Sequence, residues 1–341
     1  MEVRNCAGRV LASLSLMIGL AAITHAQDTT TARNSLYELA KKEGSVVLWS
    51  PIDAPALKQI SDVFTARYPG VVLKHFDIQP GPAVERIVAE SRAGASAVDA
   101  VDANIPYFKP LIDRGLLQSV DWKSFGVDSQ YVLLDGRAVN HYDLEQPITV
   151  NTLMVKPGEI KAWEDLLNPK WSGKLILEAR GGVFAVLAQK WGEKKATDYL
   201  TGLLKNKPIV IKGGTTALEA LAGGQAALLL GASPTKIDVY KTMGAPVDWL
   251  RIDPVPVLVY CTAVLKNAIH PNAAKLWVVW LLSSEGQQAL YKFHNMGVLS
   301  GPVASARGKE FQGIELIREN LNADEGAHML TKYSSQIGSL D

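Results

Sequence analysis

The sequence predicts an α/β protein of two lobes, in which each lobe is a mostly parallel sheet flanked by helices. Short apolar strands alternate with amphipathic helices at the spacing of β-α-β units. The alternation restarts after about residue 150, which indicates a second sheet. A chain of 341 residues is also too long for one simple hydrophobic core, so two lobes are expected.

The first half of the chain contains three strand–helix units. Apolar residues recur at helical spacing in the segment 54–67, which stops before Pro69-Gly70. Short runs of valine and leucine between the helical segments are typical of buried strands. We predict helices at 34–43, 54–67, 82–93 and 106–114, and strands at 46–49, 71–73 and 98–101.

The second half begins the pattern again at residue 148. An apolar strand there leads through Asn151 to residues 153–155 and a turn at Pro157-Gly158. The motif Pro254-Val255-Pro256 then interrupts the pattern before a long apolar strand at 257–265. Between these points we predict strands at 175–177, 209–211 and 226–230, and helices at 183–192, 195–205 and 215–223.

An unbroken apolar run extends from Leu276 to Leu282 and includes two tryptophans. A bilayer-spanning helix needs roughly 20 apolar residues, and Lys275 and Ser283 bracket a much shorter run. A helix that is apolar on nearly all sides is typically buried in a larger protein. The run therefore predicts a core helix that starts near Pro271.

The N-terminus has the pattern of a secretory signal peptide. Arg4 and Arg9 precede an apolar stretch at 10–23, and Thr24 and Ala26 are small residues at the positions that a signal peptidase reads. We expect cleavage after Ala26, no lipid anchor and a periplasmic mature protein.

Charge and cysteine content exclude several classes of function. The leader removes two arginines and one glutamate from 35 basic and 34 acidic residues, so the mature chain has no net charge. Without a basic stripe, nucleic acid is not an expected partner. Cys6 leaves with the leader and Cys261 remains alone in an apolar segment, which predicts a buried, inert thiol.

Four sequence blocks resemble the extracellular solute-binding proteins of bacterial ABC importers, in the subgroup that includes ferric-ion-binding proteins. The blocks occur in the family's order across about 36–303. They read AVERIVAESRAGASAVDAV at 83–101, ITVNTLMVKP at 148–157, AWEDLLNPKWSGKLIL at 162–177, and KNAIHPNAAKL followed by LLSSEGQ at 266–287.

The resemblance implies a periplasmic-binding fold whose two lobes are joined by two crossing strands and close on a ligand by a hinge motion. The first lobe would comprise 27–147 and 256–341, and the second 148–255. The family further implies binding rather than catalysis, no cofactor, a monomer, and an ABC permease in the inner membrane as partner.

One departure from the family concerns iron. Ferric-binding relatives carry two adjacent tyrosines after the strand that corresponds to 226–230, where phenolate oxygens suit Fe³⁺. Here residues 231–235 read GASPT, and the chain contains no Tyr-Tyr pair. We therefore expect a ligand other than iron and no metal site.

Candidate ligand contacts follow from the rule that open parallel sheets bind ligands beyond the C-terminal ends of their strands, at helix N-termini. The crossing strands add two positions. The candidates are Ser50, Pro51, Asp53, Asn104, Asn151, Arg180, Gly181, Gly182, Thr215, Thr216, Ala232, Ser233 and Tyr260.

The motif Arg180-Gly181-Gly182 suggests an organic anion such as a carboxylate or phosphonate. Free N–H groups at a helix start favour an anion, and a guanidinium can fork onto its oxygens. The alternatives are that Arg180 pairs with Glu178, and that Thr215 or Thr216 caps the helix at 215–223.

Asp53 favours the opposite interpretation. A carboxylate at the rim of the cleft would suit a cationic or amine ligand. The alternative is that Asp53 caps the helix that begins near residue 54.

Catalytic motifs are missing from the sequence. It lacks G-x-S-x-G, a P-loop, G-x-G-x-x-G and paired zinc-ligand spacing. Two alternatives to a transport component remain open at this point. One is a receptor that signals to a membrane sensor, and the other is an exported hydrolase.

Overall fold

The computed structural model describes residues 28–95, 97–320 and 322–339. The predicted signal peptide and its cleavage after Ala26 therefore lie outside the described residues. Within the described ranges, every helix is too short or too polar to cross a bilayer.

The elements alternate as the sequence pattern predicts. The helices are α1 (28–43), α2 (Ala54–Arg67), α3 (Pro80–Arg92), α4 (Lys109–Asp113), α5 (Gly182–Trp191), α6 (Glu193–Lys205), α7 (Gly214–Ala222), α8 (Pro234–Thr242), α9 (Pro271–Leu281), α10 (Ser284–His294) and α11 (Ala323–Gly338). The strands are β1 (Ser45–Ser50), β2 (Val72–Asp77), β3 (Ala100–Asn104), β4 (Val132–Leu133), β5 (Ala138–Glu145), β6 (Ile148–Asn151), β7 (Leu175–Glu178), β8 (Ile209–Ile211), β9 (Leu228–Leu230), β10 (Val247–Trp249), β11 (Val255–Val264) and β12 (Leu316–Arg318).

Two mixed sheets organise the molecule and confirm the two-lobed α/β prediction. The larger sheet has the order β2-β1-β3-β11-β5-β4, with β12 beside β11. The smaller sheet has the order β10-β6-β9-β7-β8. Parallel pairs form around β1 and β7, whereas β11 runs antiparallel to β3 and β5, and β6 runs antiparallel to β9 and β10. The antiparallel pairs arise where the chain crosses between the sheets.

The chain leaves the larger sheet between β5 and β6 and returns between β10 and β11. The helix α11 lies against both lobes. Tyr333 and Ile337 join the hydrophobic core of the smaller lobe, while Gly326 lies against Pro106 of the larger lobe. The C-terminal helix therefore braces the connection between the two sheets.

The helix α9 is buried in the larger lobe, as its apolar run predicts. The rings of Trp277 and Trp280 lie 5.2 and 5.4 Å from the ring of Phe64 on α2. The chain then starts a further helix, α10, which the sequence analysis did not predict. Ser283 caps it by accepting a hydrogen bond from the backbone N–H of Gly286 at 3.1 Å.

The sequence predicts that the strand continues through residues 153–155, and this prediction is wrong because β6 ends at Asn151. The side-chain amide of Asn151 donates from Nδ2 to the carbonyl oxygen of Leu221 at 2.8 Å. Its Oδ1 accepts from the backbone N–H of Leu153 at 3.0 Å and closes a turn. The short polar side chain thus ends β6 by competing with the sheet for backbone donors.

Candidate ligand-binding site

A cavity of about 140 Å³ lies between the two lobes. It is lined by the ends of β1, β3, β7 and β9 and by the first residues of α5, α7 and α8. Most of the predicted site residues line it, namely Pro51, Asp53, Asn104, Arg180, Gly181, Gly182, Ala232, Ser233 and Tyr260. Residues at the strand ends of both sheets therefore line one cleft, at the position that the strand-end rule predicts.

Four predicted residues lie outside this lining. Ser50 is fully buried, and its Oγ accepts from the backbone N–H of Ile52 at 3.2 Å. Asn151 forms the turn at the end of β6. Thr215 and Thr216 are exposed residues in the first turn of α7. The N-cap of α7 is Gly213, so the prediction that one of these threonines caps the helix is wrong.

Arg180 combines a cavity position with the alternative pairing to Glu178. Its Nε donates to Oε1 of Glu178 at 2.8 Å, and its backbone N–H donates to Oε2 at 3.1 Å. The Oε1 atom also accepts from the backbone N–H of Gly213 at 3.0 Å. The guanidinium is therefore held by one edge, while Nη1 reaches Gln79 of the larger lobe at 3.4 Å.

Lys236 is a second cation at the cavity, and the sequence analysis missed it. It lies in the first turn of α8, and its Nζ donates to Oγ1 of Thr215. Burial lowers the pKa of Lys236. The dipeptide Ser233-Pro234 is a helix-start signal that would have placed this lysine near the strand end of β9, where the other candidates lie.

Three helices of the smaller lobe begin at the cavity. Their N-cap residues are Gly181 for α5, Gly213 for α7 and Ser233 for α8. Within the described part of the chain, none of these N-cap residues caps its helix with its own side chain. The backbone N–H of Gly213 already donates to Glu178, and Pro234 at the start of α8 has no N–H, so the remaining free N–H groups belong to the other first-turn residues. Helix starts without a cap leave backbone N–H groups for other acceptors, and the helix dipole adds partial positive charge.

Gly181 and Gly231 have conformations that other residues adopt rarely, with φ of +72° and +122°. A Cβ atom on Gly181 would also lie 2.9 Å from the backbone of Tyr333 and Ser334 in α11. On Gly231, it would overlap the side chain of Glu178. Both glycines are therefore required by backbone conformation and by packing between elements.

Asp53 caps α2, as the alternative interpretation predicts, and also lines the cavity. Its Oδ1 accepts from the backbone N–H of Ala56 at 3.0 Å. Its Oδ2 lies 3.2 Å from Nδ1 of His294. The hydrogen bond from His294 lowers the pKa of Asp53 to about 2. Asp53 is therefore a carboxylate at neutral pH.

Aromatic residues form the wall beside the crossing strand β11. The rings of Tyr142 and Tyr260 stack with centroids 4.7 Å apart and an angle of 12°. Burial raises the pKa of both phenols, which therefore remain neutral. Tyr142 and His294 were not among the predicted site residues. Tyr142 is placed by the pairing of β5 with β11, and His294 lies at the end of α10, a helix that the sequence did not predict.

Asn104 ends β3 with its side chain at the cavity. Its Nδ2 donates to Oε1 of Glu319 at 2.8 Å. Glu319 follows β12 and is buried behind the cavity wall. No sequence signal connected these two residues, which are 215 positions apart.

A comparison with protein families identifies most of the chain. The family model of the bacterial extracellular solute-binding proteins matches residues 59–313. The chain belongs to this family. Solute-binding proteins of this kind bind rather than transform their ligands, so the alternative of an exported hydrolase is not retained. The family's location is extracellular or periplasmic.

Individual relatives match this chain over only part of its length. The chain is 31% identical over 147 residues to an uncharacterized protein of Haemophilus influenzae, which covers 39% of this chain and 40% of the relative. It is 25% identical over 181 residues to the major ferric iron-binding protein of Neisseria gonorrhoeae, which covers 50% of each chain. The chain thus spans about half or less of the length of these relatives.

Among solved structures, one similar fold is the periplasmic binding protein AfuA from Actinobacillus pleuropneumoniae, with fructose-6-phosphate bound. The two chains superpose with a TM-score of 0.71 at 21% sequence identity, covering 86% of this chain and 99% of AfuA. At this identity the similarity shows the fold and no more.

Proposed function

We propose that this protein is the solute-binding component of an ABC importer and captures a small organic anion between its lobes. Three helix starts without side-chain caps, together with Lys236, carry this proposal. Converging N–H groups and a half-buried ammonium group are the features that bind carboxylate, phosphonate or phosphate oxygens. Family membership supports delivery to a permease.

Binding would couple to closure of the lobes, because residues of both lobes meet across the cleft. Oγ1 of Thr235 in α8 donates to the carbonyl oxygen of Asn295 at 3.0 Å. Nη1 of Arg307 lies 2.9 Å from Oδ2 of Asp238 in α8. A ligand that contacts both walls adds its own contacts to these, so it shifts the population towards the closed form.

The anion would lie on the smaller lobe. The edge of the Arg180 guanidinium that does not contact Glu178 would donate to it. Glu178 orients the guanidinium and neutralises part of its charge. The net positive charge on this wall therefore comes from Lys236 and the helix starts. Fe³⁺ would be repelled by that charge.

Thermal-shift and calorimetric titration with carboxylates, phosphonates, organic phosphates and Fe³⁺ test the proposal. A ligand at 100 times its Kd stabilises the native state by about 2.7 kcal/mol. We expect anions to raise Tm, and Lys236→Met to weaken their binding at least tenfold. Lys241→Met is the matched control, because Lys241 lies on the same helix but pairs with Asp248 outside the cavity. Stabilisation by Fe³⁺ alone, or equal affinity in the Lys236 variant, would refute the anion assignment.

A receptor that signals to a membrane sensor uses the same ligand cleft. An importer component is required for uptake of the ligand, whereas a receptor is required for the cell's response to the ligand. Loss of uptake of the identified anion in a deletion strain supports import. Unchanged uptake together with loss of a transcriptional or chemotactic response supports the receptor role.

A further inference from the structure

We propose that the ligand carries a hydrogen-bond donor, a hydroxyl or an ammonium group, in addition to its anionic group. In this proposal Oδ1 of Asn104 in the larger lobe recognises the donor, and buried Glu319 is the positioning residue that fixes the Asn104 amide. The inference deepens the proposed function, because it concerns the same cavity.

The side-chain amide of Asn104 has a defined orientation at the cavity. Asn104 is 4% exposed and lines the cavity at the end of β3. Its Nδ2 donates at 2.8 Å to Oε1 of Glu319, a residue that does not line the cavity. The two ends of an amide group point in different directions, so Oδ1 is the polar atom left for the cavity. An amide oxygen accepts hydrogen bonds and does not donate them.

Glu319 leaves the amide no alternative orientation. The carboxylate is 3% exposed, and its Oε2 accepts from the backbone N–H of Val259 at 3.2 Å. The backbone of Ile105 forms a further hydrogen bond to it. A reversed amide would place Oδ1 of Asn104 against a carboxylate oxygen, with two acceptors facing each other. Burial raises the pKa of Glu319 to about 7, so at pH 8.5 the carboxyl group is ionised and selects the orientation with Oδ1 in the cavity.

The two walls of the cavity differ in polarity. The larger lobe presents Oδ1 of Asn104 and the carboxylate of Asp53 as acceptors, beside tyrosine hydroxyls that can donate or accept. The smaller lobe presents donors, namely Lys236, Arg180 and the helix starts. A simple anion leaves the two acceptors of the larger lobe without a donor from the ligand. A ligand with an anionic end and a donor at the other end satisfies both, which identifies hydroxy- or amino-substituted carboxylates, phosphonates and organic phosphates as the class.

Matched ligand pairs test this inference by isothermal titration at pH 8.5. The phosphonate pair is ethylphosphonate and 2-hydroxyethylphosphonate. The carboxylate series is propionate, 3-hydroxypropionate and β-alanine. We expect the donor-bearing member to bind at least tenfold more tightly in the wild-type protein, which corresponds to about 1.4 kcal/mol.

Two variants separate recognition from general stability. Asn104→Leu keeps the size of the side chain and should abolish the preference for the donor-bearing member. Glu319→Gln can donate as well as accept, so it releases the Asn104 amide. It should bring the affinity ratio within each pair to within about threefold while the affinity for ethylphosphonate stays within about twofold. A structural effect alone would lower both affinities and leave their ratio unchanged.

The outcomes distinguish this inference from the proposed function. If the anions bind but the wild-type ratio is near one, or if Glu319→Gln retains the wild-type ratio, the inference is refuted and the proposed function stands. If no member of either series binds, the assignment of an anionic ligand fails and the inference fails with it.

Discussion

Replacing Glu145 with glutamine tests how much a buried carboxyl group costs the protein at the point where its two lobes join. Glu145 is the last residue of β5 and is 1% exposed. Its Oε1 has no hydrogen-bond partner among the described residues. Burial raises the pKa of Glu145 from the ordinary 4.5 to about 8, although the positive charge of Arg307 acts in the opposite direction.

The sign of the effect follows from proton binding. Between pH 4.5 and about pH 8 the folded protein retains a proton on Glu145 that the unfolded chain releases. The free energy of unfolding therefore falls as pH rises through this window, and the loss is complete above about pH 8. At about 1.36 kcal/mol for each pH unit, the loss amounts to about 5 kcal/mol over the window.

Glu145→Gln keeps the shape of the side chain and removes the titration. We expect the variant and the wild type to have similar free energies of unfolding near pH 5. The variant should be more stable by several kcal/mol near pH 9. Urea unfolding followed by tryptophan fluorescence at intervals between pH 5 and pH 9 measures this difference. Other buried carboxyl groups, such as Glu319, affect both proteins equally and cancel in the comparison.

A matched control is Glu164→Gln, because this glutamate is exposed and pairs with Lys195 at the surface. The control should leave the pH dependence of stability unchanged. Parallel pH profiles for wild type and Glu145→Gln would contradict the reasoning, because they would show that Glu145 has the same pKa in the folded and unfolded states.

Three further predictions concern the cleft and the core. Arg180→Ala should weaken anion binding at least tenfold in calorimetric titration, and unchanged affinity would refute its contact with the ligand. Asp238→Asn removes the partner of Arg307 across the cleft, so it should lower ligand affinity by increasing the dissociation rate; an unchanged rate in stopped-flow measurements would contradict a closing role. Trp280→Ala removes a buried side chain from the core of the larger lobe and should cost about 3–5 kcal/mol in urea unfolding; a cost below 1 kcal/mol would show that α9 is not tightly packed.

The regular elements could be predicted because hydrophobic periodicity is a local property of the sequence. The helix predicted at 54–67 coincides with α2 at Ala54–Arg67. The strand β5 was missed because its polar residues hide its burial. Asn140 and Asp143 are buried there because Arg318 donates to both. Arg318 is more than 170 residues away in the chain, so no local pattern reveals that these polar groups have a partner.

In the candidate site too, the residues that follow from local sequence patterns were predicted, and those that depend on tertiary structure were missed. Arg180 and Ser233 directly follow strands, so the strand-end rule places them without knowledge of the tertiary structure. Lys236 is one turn further along the chain and required the exact start of α8. Tyr142 reaches the cavity, and Glu319 lies behind its wall, through the pairing of β11 with β5 and β12, which sequence patterns do not specify.

Opposite polarity on the two walls connects the choice of ligand to closure of the lobes. Lys236 of the smaller lobe already interacts electrostatically with Asp53 and Asp77 of the larger lobe. A simple anion would satisfy Lys236 but would bring a further negative charge towards these two carboxylates. A ligand with a hydroxyl or ammonium group at its other end presents a donor to that wall, so closure gains hydrogen bonds on both sides. Only the difference in free energy between the open and closed complexes moves the lobes, and under the proposed function that difference would be larger for the bifunctional anion.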